Sequence, residues 1–258
     1  MLGLRPVPAA APREDNLNRA PARALAIMLC YNTEELTRAV LAKFPPRRTY
    51  DLLIVDDGST DGTPALVDAF PARVVHHERN RGLGAAIKTG YRFALEHGYD
   101  VIVIMAGNNK DDPAEIPRLL RPILEEGYDY VQGSRFRDGG SYENLPAARR
   151  LLVKTHALLI RVLTGCRATD AINGFRAYRA ALLADPRIDV WQDWLDGYEL
   201  ESYLHYKVLT LGYRFTEAAV SKSYPAPTRR GKYSHIRPVV DWWVIVRPLF
   251  FLKLGLKK

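Results

Sequence analysis

The sequence predicts an α/β fold with a mostly parallel central sheet flanked by helices. Short apolar, β-branched runs alternate with amphipathic stretches from about residue 25 to about residue 135. This alternation is typical of repeated βαβ units. The chain has 258 residues, of which 47% are hydrophobic, so it can bury the core of one large domain.

Each predicted strand is a short apolar run, and the helices lie between the runs. The strands are predicted at Leu25–Cys30, Tyr50–Val55, Arg73–His77, Val101–Met105 and Tyr128–Gln132. Helices are predicted at Glu34–Lys43, from Thr63, at Ala85–His97, from Pro113, and near Arg149–Leu163 and Tyr198–Leu211. Thr63 and Asp112 are expected to be N-caps, because a proline at the first helical position follows each of them.

The chain is predicted to have three parts. Residues 1–22 are rich in Pro, Ala and Arg without an apolar h-region, which indicates a flexible tail. Residues 23–235 form the α/β domain, and residues 236–258 form an amphipathic segment whose aromatic side chains and terminal lysines suit a membrane interface. A core or dimer contact is the alternative for that last segment. No uncharged stretch of about 20 residues is present that would span a bilayer.

The net charge indicates the class of binding partner, and the cysteine content indicates the redox compartment. The formal charge of +8 favours an anionic partner such as phosphates, nucleic acid or an acidic membrane surface. The two cysteines indicate neither a disulfide framework nor a zinc site, and a reducing compartment is expected.

Polar clusters follow three of the predicted strands. They are Tyr31-Asn32, Asp56–Ser59 and Asn108–Asp112. Because ligands of parallel sheets bind outside the carboxyl ends of the strands, these clusters are expected to form one site. The carboxylates of Asp56 and Asp57 can accept hydrogen bonds from a nucleobase or ribose, although an Asp-Gly turn is the alternative.

Eight motifs in order resemble family 2, GT-A-type glycosyltransferases, and among these the dolichyl- or polyprenyl-phosphate sugar synthases. The motifs are CYNTEE (30–35), VDDGSTDGT (55–63), RNRGLGAAIKTG (79–90), DDPAEIP (111–117), QGSRF (132–136), TDAINGFRAYR (169–179), GYELE (197–201) and RRGKYSHI (229–236). The resemblance implies a Rossmann-like GT-A domain over residues 23–235. It also implies a nucleoside-diphosphate-sugar donor, inversion at the anomeric carbon, and a polyprenyl or dolichyl phosphate acceptor.

The resemblance also suggests roles for individual residues. On the donor side these are Tyr31, Asn32, Glu34, Asp56, Asp57, Asn108, Asn109 and Lys110. The residues expected to hold the acceptor phosphate are Arg135, Arg149, Arg150, Arg230 and Ser234. The residues expected to act in catalysis are Arg135, Arg229 and Asp112.

The metal site is where the chain departs from the family. Such enzymes have Asp-Ala-Asp after the fourth strand, and this chain has Ala106-Gly107-Asn108-Asn109. One interpretation is that Asp111 and Asp112 bind Mg²⁺ or Mn²⁺, which prefer oxygen ligands. The other is that Lys110 supplies the positive charge that a leaving diphosphate needs, without a metal.

Two other functions stay open from the sequence. A glycosyltransferase acting on a saccharide or lipid hydroxyl would need a general base, and Asp193, Asp196, Glu199 and Glu201 are candidates. A catalytically silent nucleotide-sugar-binding protein is the second. We expect a peripheral protein on an anionic, cytoplasmic membrane face that does not bind nucleic acid. A homo-oligomer, or a membrane partner that supplies a span, remains open.

Overall fold

The computed structural model describes residues 21–224 and 240–258, and Arg229, Arg230 and Ser234 lie outside these ranges. Its strands are β1 (Ala24–Cys30), β2 (Asp51–Asp56), β3 (Arg73–His76), β4 (Val101–Ala106), β5 (Tyr130–Ser134), β6 (Ser141–Glu143), β7 (Arg176–Arg179), β8 (Phe215–Ala219) and β9 (Ser221–Ser223). Seven of them form one sheet in the order β3-β2-β1-β4-β7-β5-β8, and β6 pairs with β9 in a second, parallel sheet.

The central sheet is mostly parallel, as predicted. Strands β1 to β4 run parallel to one another, and β5 runs parallel to β8. Only β7 among the seven runs the other way, antiparallel to both β4 and β5. The carboxyl ends of β1, β2 and β4 therefore meet at one edge of the sheet, where the polar clusters follow them.

Seven α-helices surround the sheet in the described residues. They are α1 (Glu34–Leu41), α2 (Thr63–Asp68), α3 (Leu83–Glu96), α4 (Ile116–Glu125), α5 (Ala147–Thr164), α6 (Glu199–Thr210) and α7 (Val240–Lys253). Short 3-10 turns lie at Pro113–Glu115, Ala180–Ala184 and Asp193–Leu195. Within the ranges that the structure covers, none of the helices combines the length and the apolar character that a membrane crossing requires.

Two apolar layers enclose the sheet, and β1 contributes to both. Its side chains alternate, so that Leu25, Ile27 and Leu29 pack with one layer while Met28 and Cys30 pack with the other. Every residue of β1 is buried. A strand that is covered on both faces has a continuous apolar sequence, and β1 could be predicted for this reason.

One of the two predicted N-caps is correct. Asp112 caps the turn at Pro113–Glu115, and its carboxylate accepts a hydrogen bond from the backbone N–H of Ala114 at 3.0 Å. Thr63 was expected to cap α2, but it is the first helical residue and Gly62 is the N-cap. The hydroxyl of Thr63 instead accepts the backbone N–H of Thr33 at 3.3 Å.

Candidate active site

Two adjoining cavities open at the carboxyl edge of the central sheet. The larger, of about 350 Å³, lies beside the ends of β1 and β4 and is called here the β1–β4 cavity. The smaller, of about 150 Å³, has α5 and α7 among its walls and is called the α5–α7 cavity. They share Ala106, Asn108, Lys110 and Tyr198. A ligand that extends from one cavity to the other would therefore pass these four residues.

The two aspartates at the end of β2, Asp56 and Asp57, lie in different surroundings. Asp57 lines the β1–β4 cavity, and its carboxylate accepts the backbone N–H groups of Arg81 and Gly82, each at 2.9 Å. Asp56 is buried, and it hydrogen-bonds the Ser59 hydroxyl and the ring of His76. Asp56 is absent from the lining of both cavities. Asp57 is thus the aspartate placed to meet a ligand, while Asp56 shapes the turn.

Of the predicted donor residues that follow β1, one lines the β1–β4 cavity and the other two stabilise the surrounding loops. Tyr31 lines the β1–β4 cavity. Asn32 has a φ of 48°, and its side-chain oxygen accepts the backbone N–H of Thr60 at 2.8 Å, so it joins two loops. Glu34 lies outside the lining and pairs with Arg38 at 3.1 Å. Asn32 and Glu34 therefore support the site without lining it.

Gly82 and Gly84 have no side chain, so the backbone of a neighbouring loop can pack against them. A Cβ on Gly84 would collide with the carbonyl oxygen of Leu195, and the backbone N–H of Ala85 donates to the carbonyl of Asp196 at 3.0 Å. Gly82 has a φ of 99° and also lines the β1–β4 cavity. The loop containing Leu195 and Asp196 can thus lie directly against the start of α3.

The segment after β4 brings Asn108 and Lys110 to the junction of the cavities. Asp111 is 1% exposed, and its carboxylate accepts a hydrogen bond from the ammonium of Lys222 at 2.5 Å. Lys222 also donates to the side-chain oxygen of Asn173 at 2.7 Å. Burial, together with the charges of Lys222 and Arg149, lowers the pKa of Lys110 to about 7.

These residues do not fit a divalent cation. Asp111 and Asp112 were the predicted metal ligands, but the first carboxylate is held by Lys222 and the second caps a turn outside both cavity linings. The buried side-chain oxygens of Asn108 and Asn109 accept no hydrogen bond from described residues, yet they are neutral and directly precede Lys110 in the chain. In the described part of the chain, no three His, Cys, Asp or Glu side chains cluster as a metal site would require.

The α5–α7 cavity combines cations with apolar walls. Arg135 donates to both carboxylate oxygens of Asp170, at 2.6 and 2.7 Å, and also to the hydroxyl of Tyr224. Arg149, on α5, lines the cavity with its guanidinium carbon 5.7 Å from the centre of the Tyr224 ring. The apolar part of the lining comes from Val153, Ile172, Trp242 and Ile245.

Arg150 does not share this cavity with Arg149. The two residues are adjacent on α5, but Arg150 is exposed and absent from the lining. Because neighbouring residues on a helix point about 100° apart, Arg149 can face the cavity while Arg150 faces solvent. The prediction that both hold a phosphate in this cavity is therefore not supported for Arg150.

Several residues that line the α5–α7 cavity were not predicted from the sequence. They are Arg176, Tyr198, Ser202, Lys222 and Tyr224. Tyr198 lies inside a motif already recognised, so its place could have been suspected. Lys222 gave no such signal, since its partner Asp111 lies 111 residues earlier.

Comparison with known proteins identifies the family. The family model described as Glycosyl transferase family 2 matches residues 26–185, which is more than half of the chain. Undecaprenyl-phosphate mannosyltransferase of Micrococcus luteus is 34% identical over 207 residues, covering 77% of this chain and 83% of that protein. Polyprenol monophosphomannose synthase of Mycolicibacterium smegmatis is 34% identical over 210 residues, covering 79% of this chain and 78% of that protein.

A solved structure supports the same fold. Glucosyl-3-phosphoglycerate synthase from Mycobacterium tuberculosis, in complex with Mn²⁺, uridine diphosphate and glucosyl-3-phosphoglycerate, gives a TM-score of 0.64 at 21% identity. The match covers 92% of this chain and 81% of that chain. The predicted GT-A fold and the predicted family are thus confirmed, and the chain belongs to glycosyl transferase family 2.

Proposed function

We propose that this protein transfers a sugar from a nucleoside diphosphate sugar to polyprenyl or dolichyl phosphate, with inversion at the anomeric carbon. The observation that carries the proposal is the adjoining pair of cavities with a shared wall at Asn108 and Lys110. One cavity suits a nucleotide and the other suits a phosphate on an apolar chain. The two relatives described above carry undecaprenyl phosphate and polyprenol in their names.

The β1–β4 cavity takes the donor. Tyr31 and Asp57 border the nucleoside, since an aromatic ring and a carboxylate suit the face of a base and the hydroxyls of a ribose. The diphosphate then lies towards Lys110, at the junction of the cavities. The anomeric carbon of the sugar points into the α5–α7 cavity.

The α5–α7 cavity takes the acceptor phosphate. Arg149 and Arg135 lie on its wall, while Val153 and Trp242 offer apolar contact to the first isoprene units. A phosphate monoester is mostly ionised at pH 7, because its second pKa is near 6. Its oxygen attacks the anomeric carbon while the bond from that carbon to the diphosphate oxygen breaks, and the leaving oxygen keeps the electron pair.

The alternative with a hydroxyl acceptor is less well supported, because it needs a free general base. Three of the four candidate carboxylates are held by cations: Asp196 by Lys88 at 2.6 Å, Glu201 by Arg176 at 3.1 Å, and Glu199 by Arg247. The fourth, Asp193, lines neither cavity. The phosphate acceptor needs no such base.

A transfer assay tests the proposal. A panel of UDP- and GDP-sugars is incubated with polyprenyl phosphate in neutral detergent, and with the matching polyprenol as the control acceptor. We expect glycosyl polyprenyl phosphate of inverted configuration, and no product from the polyprenol. Equal transfer to the polyprenol would favour the hydroxyl-acceptor enzyme. Donor binding without any transfer would favour the catalytically silent protein.

Arg149 and Arg150 offer a matched pair for the acceptor site. Arg149→Gln should raise KM for polyprenyl phosphate about tenfold or more, because a charge-assisted hydrogen bond contributes roughly 1.5–3 kcal/mol. Arg150→Gln should change KM by less than about twofold in the same detergent, since Arg150 lies outside the lining. Equal effects of the two substitutions would contradict this placement of the acceptor phosphate.

The acceptor lipid also requires the protein to rest on a membrane, and helix α5 is suited to this. Leu151, Leu158 and Val162 share one face of the helix and are 67%, 58% and 72% exposed. Lys154 and Arg161 are exposed beside that face. An apolar stripe flanked by cations suits an anionic bilayer surface, and this supports the proposal of a peripheral enzyme on the cytoplasmic face of the membrane.

Helix α7 combines features of the two interpretations that the sequence left open, a core contact and a membrane-interface segment. Asp241, Ile245 and Leu249 are buried, so one side of α7 is a core contact. Trp243 and Phe250 are exposed and stack on each other with ring centres 6.2 Å apart. These aromatic side chains suit the interface region of a bilayer next to α5.

A further inference from the structure

The junction of the two cavities is rich in positive charge. Among the described residues that line the α5–α7 cavity, five are lysine or arginine and two are carboxylates. Both carboxylates pair with cations, Asp111 with Lys222 and Glu201 with Arg176. The lining thus contains more positive than negative charge, although Arg135 is also paired with Asp170, which lies outside the lining.

Lys110 lies at the centre of this charge. It is 9% exposed and lines both cavities. Its ammonium nitrogen is 5.9 Å from the centre of the Tyr224 ring, and the guanidinium carbon of Arg149 is 5.7 Å from the same centre. Lys110 and Arg149 therefore approach one aromatic ring from two different segments, next to the place where the cavities meet.

A divalent cation would be poorly placed here. The segment Ala106–Asn109 at the end of β4 contains no carboxylate, and the carboxylate of Asp111 is occupied by Lys222. A cation entering this place would meet the ammonium of Lys110 and neutral amide oxygens. The part of the sequence outside the described ranges that follows Tyr224, residues 225–239, contains no Asp or Glu.

We propose that the ammonium of Lys110 occupies the place of the divalent cation, and that this enzyme binds and uses its nucleoside diphosphate sugar without a metal. This rests on the proposed function. As the bond from the anomeric carbon to the diphosphate oxygen breaks, negative charge develops on the leaving oxygen. The negative diphosphate favours the charged form of Lys110, and the ammonium donates a hydrogen bond to the leaving oxygen, in a site of low dielectric where such an interaction is strong.

The pair of Lys222 and Asp111 has a positioning role in this arrangement. The carbonyl of Lys110 accepts the backbone N–H of Ser223 at 3.0 Å, and the Lys222 ammonium holds Asp111 at 2.5 Å. Two successive residues after β4 are thus fixed to two successive residues of β9. This fixes the backbone from which the Lys110 side chain reaches the cavities.

The test measures nucleotide binding and sugar transfer separately. Metal-stripped protein is titrated calorimetrically with UDP and GDP in excess chelator, and then in Mg²⁺ and in Mn²⁺. We expect the affinity for the preferred nucleotide to change by less than about twofold between these conditions. Transfer to polyprenyl phosphate should survive the chelator equally well. A requirement for Mg²⁺ or Mn²⁺ in nucleotide binding would overturn the proposal.

Substitutions of Lys110 then test whether its ammonium is the cation that binds the diphosphate. Lys110→Met should weaken nucleotide binding about tenfold or more and slow transfer about 100-fold. Lys110→Arg should restore most of the binding, because it keeps the charge. Lys110→Gln serves as a second uncharged variant, and Lys43→Met, at an exposed site outside both linings, should behave as the unsubstituted protein. Unchanged binding in Lys110→Met and Lys110→Gln would also overturn the proposal.

The two proposals fail in different ways. Chelator-resistant nucleotide binding that depends on Lys110, without transfer to any acceptor, would contradict the proposed function and support Lys110 as the diphosphate cation. Transfer that depends on added metal would support the proposed function and contradict the role of Lys110.

Discussion

Gly84 lies at the first turn of α3, against the backbone of the loop that contains Leu195. Its Cα hydrogen faces the carbonyl oxygen of Leu195, at a place where a methyl group has no room. The same loop is held by Lys88, whose ammonium reaches the carboxylate of Asp196 at 2.6 Å and the carbonyl of Gln192 at 2.7 Å. Lys88 therefore fixes the loop whose end, Gly197-Tyr198, borders the β1–β4 cavity.

Replacing Gly84 with Ala tests this close approach. We expect Gly84→Ala to lower the free energy of unfolding by about 2 kcal/mol, because the clash is with backbone that cannot rotate away. The measurement is urea unfolding followed by circular dichroism. Gly174→Ala is the control: its added Cβ would meet only the end of the Glu201 side chain, at 3.2 Å. A Gly84→Ala variant as stable as this control would contradict the assigned role.

Asp111 shows why the residue types at a motif do not settle the chemistry of a site. From the sequence it is an acidic residue after a strand, which is a reasonable metal ligand. In the structure its charge is paired with Lys222, which comes from a distant short strand. Tyr31, Asp57, Asn108 and Lys110 could be predicted because each lies within four residues of the end of a buried strand. The partner of Asp111 depends on the tertiary fold, so no local pattern contains it.

Helix α5 carries its exposed apolar face without a described partner from its own chain. Leu158→Glu with Val162→Glu places two charges on that face, and we expect sedimentation with phosphatidylglycerol vesicles to fall at least about tenfold. Each buried methylene contributes about 0.8 kcal/mol to membrane binding, and the added carboxylates repel anionic lipid. Thermal stability should change little, because both side chains are more than half exposed in the folded protein.

Leu95→Glu with Leu124→Glu provides the matched control for α5. These leucines are 42% and 45% exposed, on α3 and α4 respectively. Vesicle binding should be retained in this variant. Loss of binding in both double variants, or in neither, would mean that α5 is not the membrane-contacting element.

The elements of the first half could be predicted because their strands are apolar and covered on both faces. The second half could not be read in this way. Strand β7 has the sequence RAYR, and its buried Arg176 donates to the carbonyl oxygens of Asn173 and Glu201 at 2.8 and 3.1 Å. Strands β6 and β9 have three residues each. Polar or very short strands lack the apolar period from which strands are recognised.

Acid sensitivity is expected of the whole molecule, and His156 is one source of it. The imidazole is 3% exposed, and its nitrogens have no hydrogen-bond partner among described residues. Burial, with a smaller contribution from Arg176 and against the attraction of Asp170, lowers its pKa to about 4. Between about pH 6.5 and 4 the unfolded chain therefore binds a proton that the folded protein does not, so stability falls as the pH falls.

His156→Leu should reduce this dependence. One such histidine contributes a slope of about 1.4 kcal/mol per pH unit within that window. The unfolding free energy of the unsubstituted protein should thus fall about 2 kcal/mol further than that of the variant between pH 7 and pH 5. Urea unfolding at the two pH values measures the difference. Parallel pH profiles would show that His156 is protonated as readily in the folded protein as in the unfolded chain.

The antiparallel strand β7 sets an order in which the protein can assemble. Strand β4 pairs with β1 on one side and β7 on the other, and β5 pairs only with β7 and β8 in the central sheet. During synthesis, β1 to β4 can form a four-stranded unit before residues 176–179 leave the ribosome. Until then the apolar β4 is an open edge, which invites pairing with other chains. The central sheet therefore cannot be completed until the polar strand β7 has been synthesised. Chain release or pausing within α5 would leave an aggregation-prone intermediate.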